Sequence, residues 1–231
     1  THDWGGGTEK HVRDLASLLA GRAVVLVLRP EGNSGAHLQW LDPREEFSAH
    51  FDMPADESRM VDFLRGIGIS RVHVHHIHGH TRDILTLAQK LNVPLDVTLH
   101  DYFPLSPQYH LSPGGIIDDA EVENRWGLSL AEWRRAMADF LASADRVLCP
   151  SRDLANRIAP YFPTIKFDFW PHPEAAVDVP ASAIKVLVLG GLTVEKGLEV
   201  VRQCAIDARE RNLPLVFKVL GHTEHALPVF P

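Results

Sequence analysis

The feature that most constrains this chain is its alternation of short apolar runs, rich in β-branched residues, with amphipathic helical patterns. The runs fall at Val24–Leu28, Val72–Ile77, Leu95–Leu99, Arg146–Cys149, Lys166–Trp170, Lys185–Leu189 and Leu215–Leu220. Between them, Asp56 can cap a helix carrying Met60, Phe63, Leu64 and Ile67, and Thr81 one carrying Ile84, Leu85, Ala88 and Leu91. Ser129 and Glu132 have capping-box spacing before Leu130, Trp133, Met137, Phe140 and Leu141, and Ser151 can cap a helix with Leu154 and Ile158 inward. Such alternation predicts a Rossmann-like, doubly wound α/β fold, a parallel sheet covered on both faces. The proline-rich text PHPEAAVDVP, Pro171 to Pro180, reads as a linker, after which strand, glycine loop, helix and strand begin again. The expected organisation is therefore one domain over residues 1–180 and an incomplete second over residues 181–231.

Ligands of doubly wound sheets bind beyond the carboxyl ends of the strands, which directs attention to particular loops. Gly5, Gly6 and Gly7 precede a helix whose expected inner face is Val12, Leu15, Leu18 and Leu19, with Thr8 as its N-cap and Gly21 as its stop. One glycine suffices for a turn; three permit backbone to approach an anion closely. The chain opens on Thr1, not methionine, and such a loop normally follows a strand, so an upstream strand is expected. His78 and His80 follow one strand, and His100 with Asp101 follows the next, where an imidazole can donate to an oxygen anion or orient a hydroxyl. The second glycine loop, LGGLTVEKG, places Gly190 and Gly191 after a strand and Lys196 at a helix start; it has neither the Walker nor the G-x-G-x-x-G pattern.

The text VHVHHIHGH crowds His73, His75, His76, His78 and His80 together. Metal ligation is one reading, but strand alternation sends these side chains to opposite faces, and nearby carboxylates are limited to Asp83 and Asp101. Packed, neutral histidines at a strand end are the expectation. Trp126, Trp133 and Trp170 read as core or domain-edge anchors.

With 45% hydrophobic and 23% charged residues, composition is that of a globular chain, and a net charge of −7 gives no global attraction to nucleic acid. Cys149 and Cys204 make no disulfide framework or zinc motif. No apolar run approaches the ~18 residues of a membrane span, and no signal-peptide pattern is present. The expected setting is cytoplasmic, with peripheral contact at the inner face of a membrane left open.

The glycine loop with Glu9 behind it, VHVHHIHG, VTLHDYFPLSP, ADRVLCPS and VLVLGGLTVEKG, in that order, together resemble the retaining glycosyltransferases of family 4. The resemblance implies the GT-B fold, two Rossmann-like domains facing a cleft, with a nucleotide-sugar, UDP- or GDP-linked, held mainly by the second and a glycan, glycolipid or small-molecule acceptor by the first. It implies hexosyl transfer with retention, as in polysaccharide biosynthesis, without a metal or other cofactor. Gly6 and Gly7 match the family's loop glycines, His100 the histidine near sugar and diphosphate, and Lys196 the lysine that neutralises the leaving diphosphate. Asp101 joins His100 as a candidate catalytic residue, while Glu9, His78, His80 and Tyr102 fall on the acceptor side. The segment LSPGGIIDDAEVENRWG reads as a mobile acceptor-side loop. Gly191 stands where the family often has arginine, and the paired glutamates of its E-x7-E motif do not appear before Pro231. On this resemblance the chain is a fragment with little or no transferase activity by itself. The rival reading is a non-catalytic Rossmann-like module that binds a sugar or phosphate ligand.

Overall fold

The computed structural model describes residues 1–3, 6–41, 47–108, 123–172, 184–189, 192–193 and 196–220. The chain divides into two compact units, Thr1–Pro173 and Glu174–Pro231.

The first unit begins with helix α1, Gly6–Leu19, whose first residue has φ +74°. Glycine makes the turn, so the helix starts before Thr8, which lies inside it and is buried instead of capping it. The inward face also differs from the apolar stripe: Thr8, His11 and Val12 are buried, whereas Leu18 is 62% exposed and Leu19 41%. The helix meets the rest of the unit through its amino-terminal half.

Strands β1 (Leu26–Glu31), β2 (Gly35–Trp40) and β3 (Ser48–Asp52) form an antiparallel meander, with Leu28 opposite Leu38 and Leu38 opposite Ala49. The run expected at Val24–Leu28 thus starts later and belongs to this sheet, not to the parallel one. The turn at Gly32, Asn33 and Ser34 folds the chain straight back, so β1 finds its partner next door. Helix α2, Glu57–Gly66, covers the meander, burying Met60, Val61 and Leu64 with Ala36, Leu38 and Phe51. Asp56 does not cap α2 with its side chain; its carboxylate accepts from the Asp52 amide at 3.0 Å and from Arg59 at 3.1 Å.

Strand β4 is Val72–Val74, shorter than the apolar run because the chain turns at the histidines. The helix expected behind Thr81 opens as a 3₁₀ turn, Arg82–Thr86, before α3, Leu87–Leu91. Its first amide is met by backbone, Ile84 N–H to Thr81 O at 3.3 Å, so the Thr81 hydroxyl makes no cap. Then follow β5 (Leu95–Thr98), α4 (Leu130–Ala142), β6 (Arg146–Cys149), α5 (Arg152–Ile158) and β7 (Phe167–Phe169). Strands β4, β5, β6 and β7 pair in that order, all parallel. The capping box of Ser129 and Glu132 is formed in full, and the Ser151 hydroxyl accepts from the Leu154 amide. Helices α4 and α5 bury Trp133, Met137, Phe140, Leu141, Leu154 and Ile158 with Val97, Val147 and Cys149 of the sheet. This is the Rossmann-like architecture that the alternation predicts. Trp133 is core at 2% exposure, whereas Trp170 is 58% exposed.

One carboxylate stands inside this sheet. Asp96 on β5 is buried between two guanidinium groups, accepting from Arg146 at 2.9 and 2.8 Å and from Arg71 at 2.9 Å. Burial pushes its carboxyl up, but the two arginines outweigh that and hold it below the usual range.

The second unit holds β8 (Ile184–Leu189), α6 (Leu198–Glu210) and β9 (Leu215–Leu220), with β8 and β9 parallel. No helix among the described residues is long and apolar enough to cross a membrane.

Candidate functional site

Parallel strands deliver their carboxyl ends to one edge, and here that edge is built of imidazole. His73 on β4 and His75 just past it point to one face, as period-two alternation requires. There the His73 Nε2 meets the Thr98 hydroxyl at 2.8 Å, and the His75 Nδ1 meets the His100 Nε2 at 3.2 Å. Helix α1 lays His11 over the pair, its ring centroid 5.1 Å from that of His75 and 5.2 Å from that of His100. His172 completes the group, 3.9 Å from His11 and stacked on His100 at 5.1 Å.

Burial, and then the neighbouring imidazoles, depress the basicity of this cluster. His11 is pushed down to about 4 and His100 to about 3, and His75 lies well below its ordinary value. For His73, burial outweighs the Asp96 charge and brings it to about 4. These rings are neutral at pH 7, so each carries one N–H donor and one acceptor nitrogen.

On the opposite face His76 is fixed in one tautomer. Its Nδ1 accepts the His78 amide at 3.0 Å, which puts the ring proton on Nε2, and that N–H donates to Asp101 Oδ2 at 3.1 Å. The other oxygen of Asp101 accepts the Phe103 amide at 2.9 Å. Asp101 therefore holds the loop after β5 against the loop after β4. His80 is buried, donates from Nε2 to the Thr1 carbonyl at 3.0 Å, and is depressed to about 3, mainly by burial.

Beside these loops lies an open cavity of about 370 Å³, lined among others by Asp3, His78, His80, Phe103, Arg125 and Trp126. Arg125 and Trp126 build its wall. The Arg125 guanidinium donates to the carbonyls of Gly79 and, at 2.6 Å, Asn33, joining the β4 loop to the β1–β2 turn. Trp126 donates its indole N–H to His80 O at 3.0 Å and stacks on Trp133 at 4.8 Å. Gly79 has φ +85°, and a Cβ there would fall 2.7 Å from Pro30 Cγ, so the loop passes β1 at a distance open only to glycine.

The sequence-derived candidates fall into three groups. His100 and Asp101 lie at the sheet edge, and His78 and His80 at the cavity. Gly6 and Gly7 open α1, and a Cβ at either would meet nothing within 4 Å, so that backbone stands clear. Glu9 accepts from Arg29 at 2.8 and 3.0 Å and pairs with Arg13; these arginines outweigh burial and hold its carboxyl low. Tyr102 turns toward α5, its phenol raised by burial and by the Asp153 carboxylate. Lys196, in the second unit, is exposed beside Gly197, which starts α6 at φ +84°. Gly5, Gly190, Gly191 and most of the expected acceptor loop lie outside the described residues. The sequence reading missed His11, His172 and Arg125. For His11 the signal was its place three residues after Thr8 and one before Val12, on the buried face.

The family model described as Glycosyltransferase Family 4 matches residues 5–173. The chain belongs to glycosyltransferase family 4. No curated protein matches it. The glycosyltransferase match spans the α1 glycines, the histidine edge, the cavity wall and the parallel sheet, so the features described above lie within the family's domain.

Proposed function

We propose that this family 4 protein transfers a glycosyl group from a UDP- or GDP-linked sugar to a glycan, glycolipid or small-molecule acceptor with retention of configuration. The observation that carries the reading is His100, a neutral imidazole at the carboxyl edge of the parallel sheet, inside the matched domain. When the bond from the anomeric carbon to phosphate breaks, negative charge grows on the nucleoside diphosphate. A preorganised N–H donor stabilises that charge where it appears. The clear backbone at Gly6 and Gly7, at the positive end of a 14-residue helix, offers further donors. In the second unit, Lys196 at the start of α6 is the candidate for neutralising a donor diphosphate. The new bond forms on the face the leaving group departs, and the acceptor's hydroxyl proton passes to the leaving phosphate. Asp101 acts as a positioning residue through His76 and the Phe103 amide. The acceptor side is the cavity at His78, His80 and Trp126. The setting is cytoplasmic, with peripheral contact at the membrane face where the acceptor is a glycolipid.

The test is a transfer assay with labelled UDP- and GDP-hexoses on the natural full-length protein, the 231-residue chain by itself giving little or no turnover. His100→Ala should lower kcat by about 10²–10³-fold, the usual effect of removing one donor to a developing anion. A full-length protein that turns over none of these donors, or a His100→Ala variant with unchanged kcat, overturns the reading.

A further inference from the structure

The histidine cluster has a second capability, independent of the transferase reading. His11 from α1, His75 after β4 and His100 after β5 each bring a ring nitrogen to within 4.8 Å of the others. Among the described residues this trio alone gathers three such donor atoms. His11 is 6% exposed, and its Nδ1 is buried without a hydrogen-bond partner. An orphaned buried nitrogen is uncommon in folded proteins and calls for an explanation, of which a bound ion is one. We propose that His11, His75 and His100 form a binding site for one divalent transition-metal ion of the zinc class.

Chemistry selects that class. The trio offers only imidazole nitrogen, which suits zinc, cobalt, nickel or copper, while calcium and magnesium demand oxygen ligands. A tetrahedral ion holds nitrogen at about 2.0–2.1 Å, so ligand nitrogens lie about 3.3 Å from one another, and binding requires the wider separations, none above 4.8 Å, to close to that value. His73 does not converge with these three; its Nε2 meets the Thr98 hydroxyl at 2.8 Å. Three nitrogens leave one position for water or an anionic oxygen, beside His172. Bound there, the ion would tie α1 to the two strand-end loops.

The experiment strips the protein with a chelator and titrates it with Co²⁺, reading the visible d–d bands, with Zn²⁺ as competitor. One equivalent should bind with the intense absorption of a four-coordinate nitrogen site. At a hundredfold excess over Kd the ion should raise Tm by roughly 5–10 °C. His11→Gln and His75→Gln should each weaken binding at least about tenfold. His50→Gln should leave binding unchanged, since His50 belongs to a separate exposed group with His37 and Glu31. The proposal fails if wild-type protein binds Co²⁺ more weakly than about 10 μM or shows only weak six-coordinate absorption. It also fails if His50→Gln abolishes binding that His11→Gln preserves. The wild-type spectrum decides the matter even where a variant does not fold, and it reads the ion, not sugar transfer.

Discussion

Acidification should unfold the first unit steeply and well above the carboxylate range. His11, His73, His80 and His100 have folded-state values of about 3 to 4 against about 6.5 when unfolded. Depressed histidines stabilise the folded state fully above pH 6.5, where neither state binds the proton. Below 6.5 the unfolded chain takes up protons that the folded chain refuses, so stability falls until the folded values are reached. At pH 5.5 each of the four binds about 0.9 proton more when unfolded, giving a slope of about 5 kcal/mol per pH unit. Even half of that, carried from pH 6.5 to 5, removes about 4 kcal/mol, against a total of roughly 5–15 kcal/mol for a typical domain. Asp96 acts in a separate window: its folded value is depressed, so its contribution is complete above the ordinary carboxylate pKa and is lost only at lower pH. Urea unfolding followed by circular dichroism at half-unit steps from pH 7.5 to 4.5 measures the slope. A slope equivalent to fewer than one proton between pH 6.5 and 5 would refute the argument that burial keeps these rings neutral.

Two substitutions test the framework around the site. Asp96→Asn leaves Arg71 and Arg146 half-exposed and able to turn to water, so the loss should be that of charge-assisted hydrogen bonds, about 1–3 kcal/mol by urea unfolding at pH 7. Gly79→Ala places a methyl against Pro30 at a positive φ, and the cost should exceed about 1 kcal/mol, with weakened ligand binding at the cavity. Gly66→Ala, in α2 with nothing within 4 Å of the new Cβ, should be neutral or mildly stabilising in the same assay.

The parallel sheet was readable because its strands are short and rich in apolar, β-branched residues and its helices carry their own start signals. Ser129, Glu132 and Ser151 do what their spacing implies, since local hydrogen bonds decide a cap. The meander was missed, although Ala36 and Leu38 alternate with His37 and Gln39 behind a Gly-Asn-Ser-Gly turn. That signal is weak because the buried side chains are few and small. The exposed end of α1 was misread because an apolar stripe shows which residues can be buried, not what stands opposite them. His100 and Asp101 were legible from position after a strand. The company they keep was not, because His11 and His172 arrive from residues remote in sequence, and only the fold brings their rings together.

The two carbonyls grasped by Arg125 belong to turns that follow different sheets, so one side chain sets the spacing between them. It thereby separates where the cavity wall stands from what the wall presents.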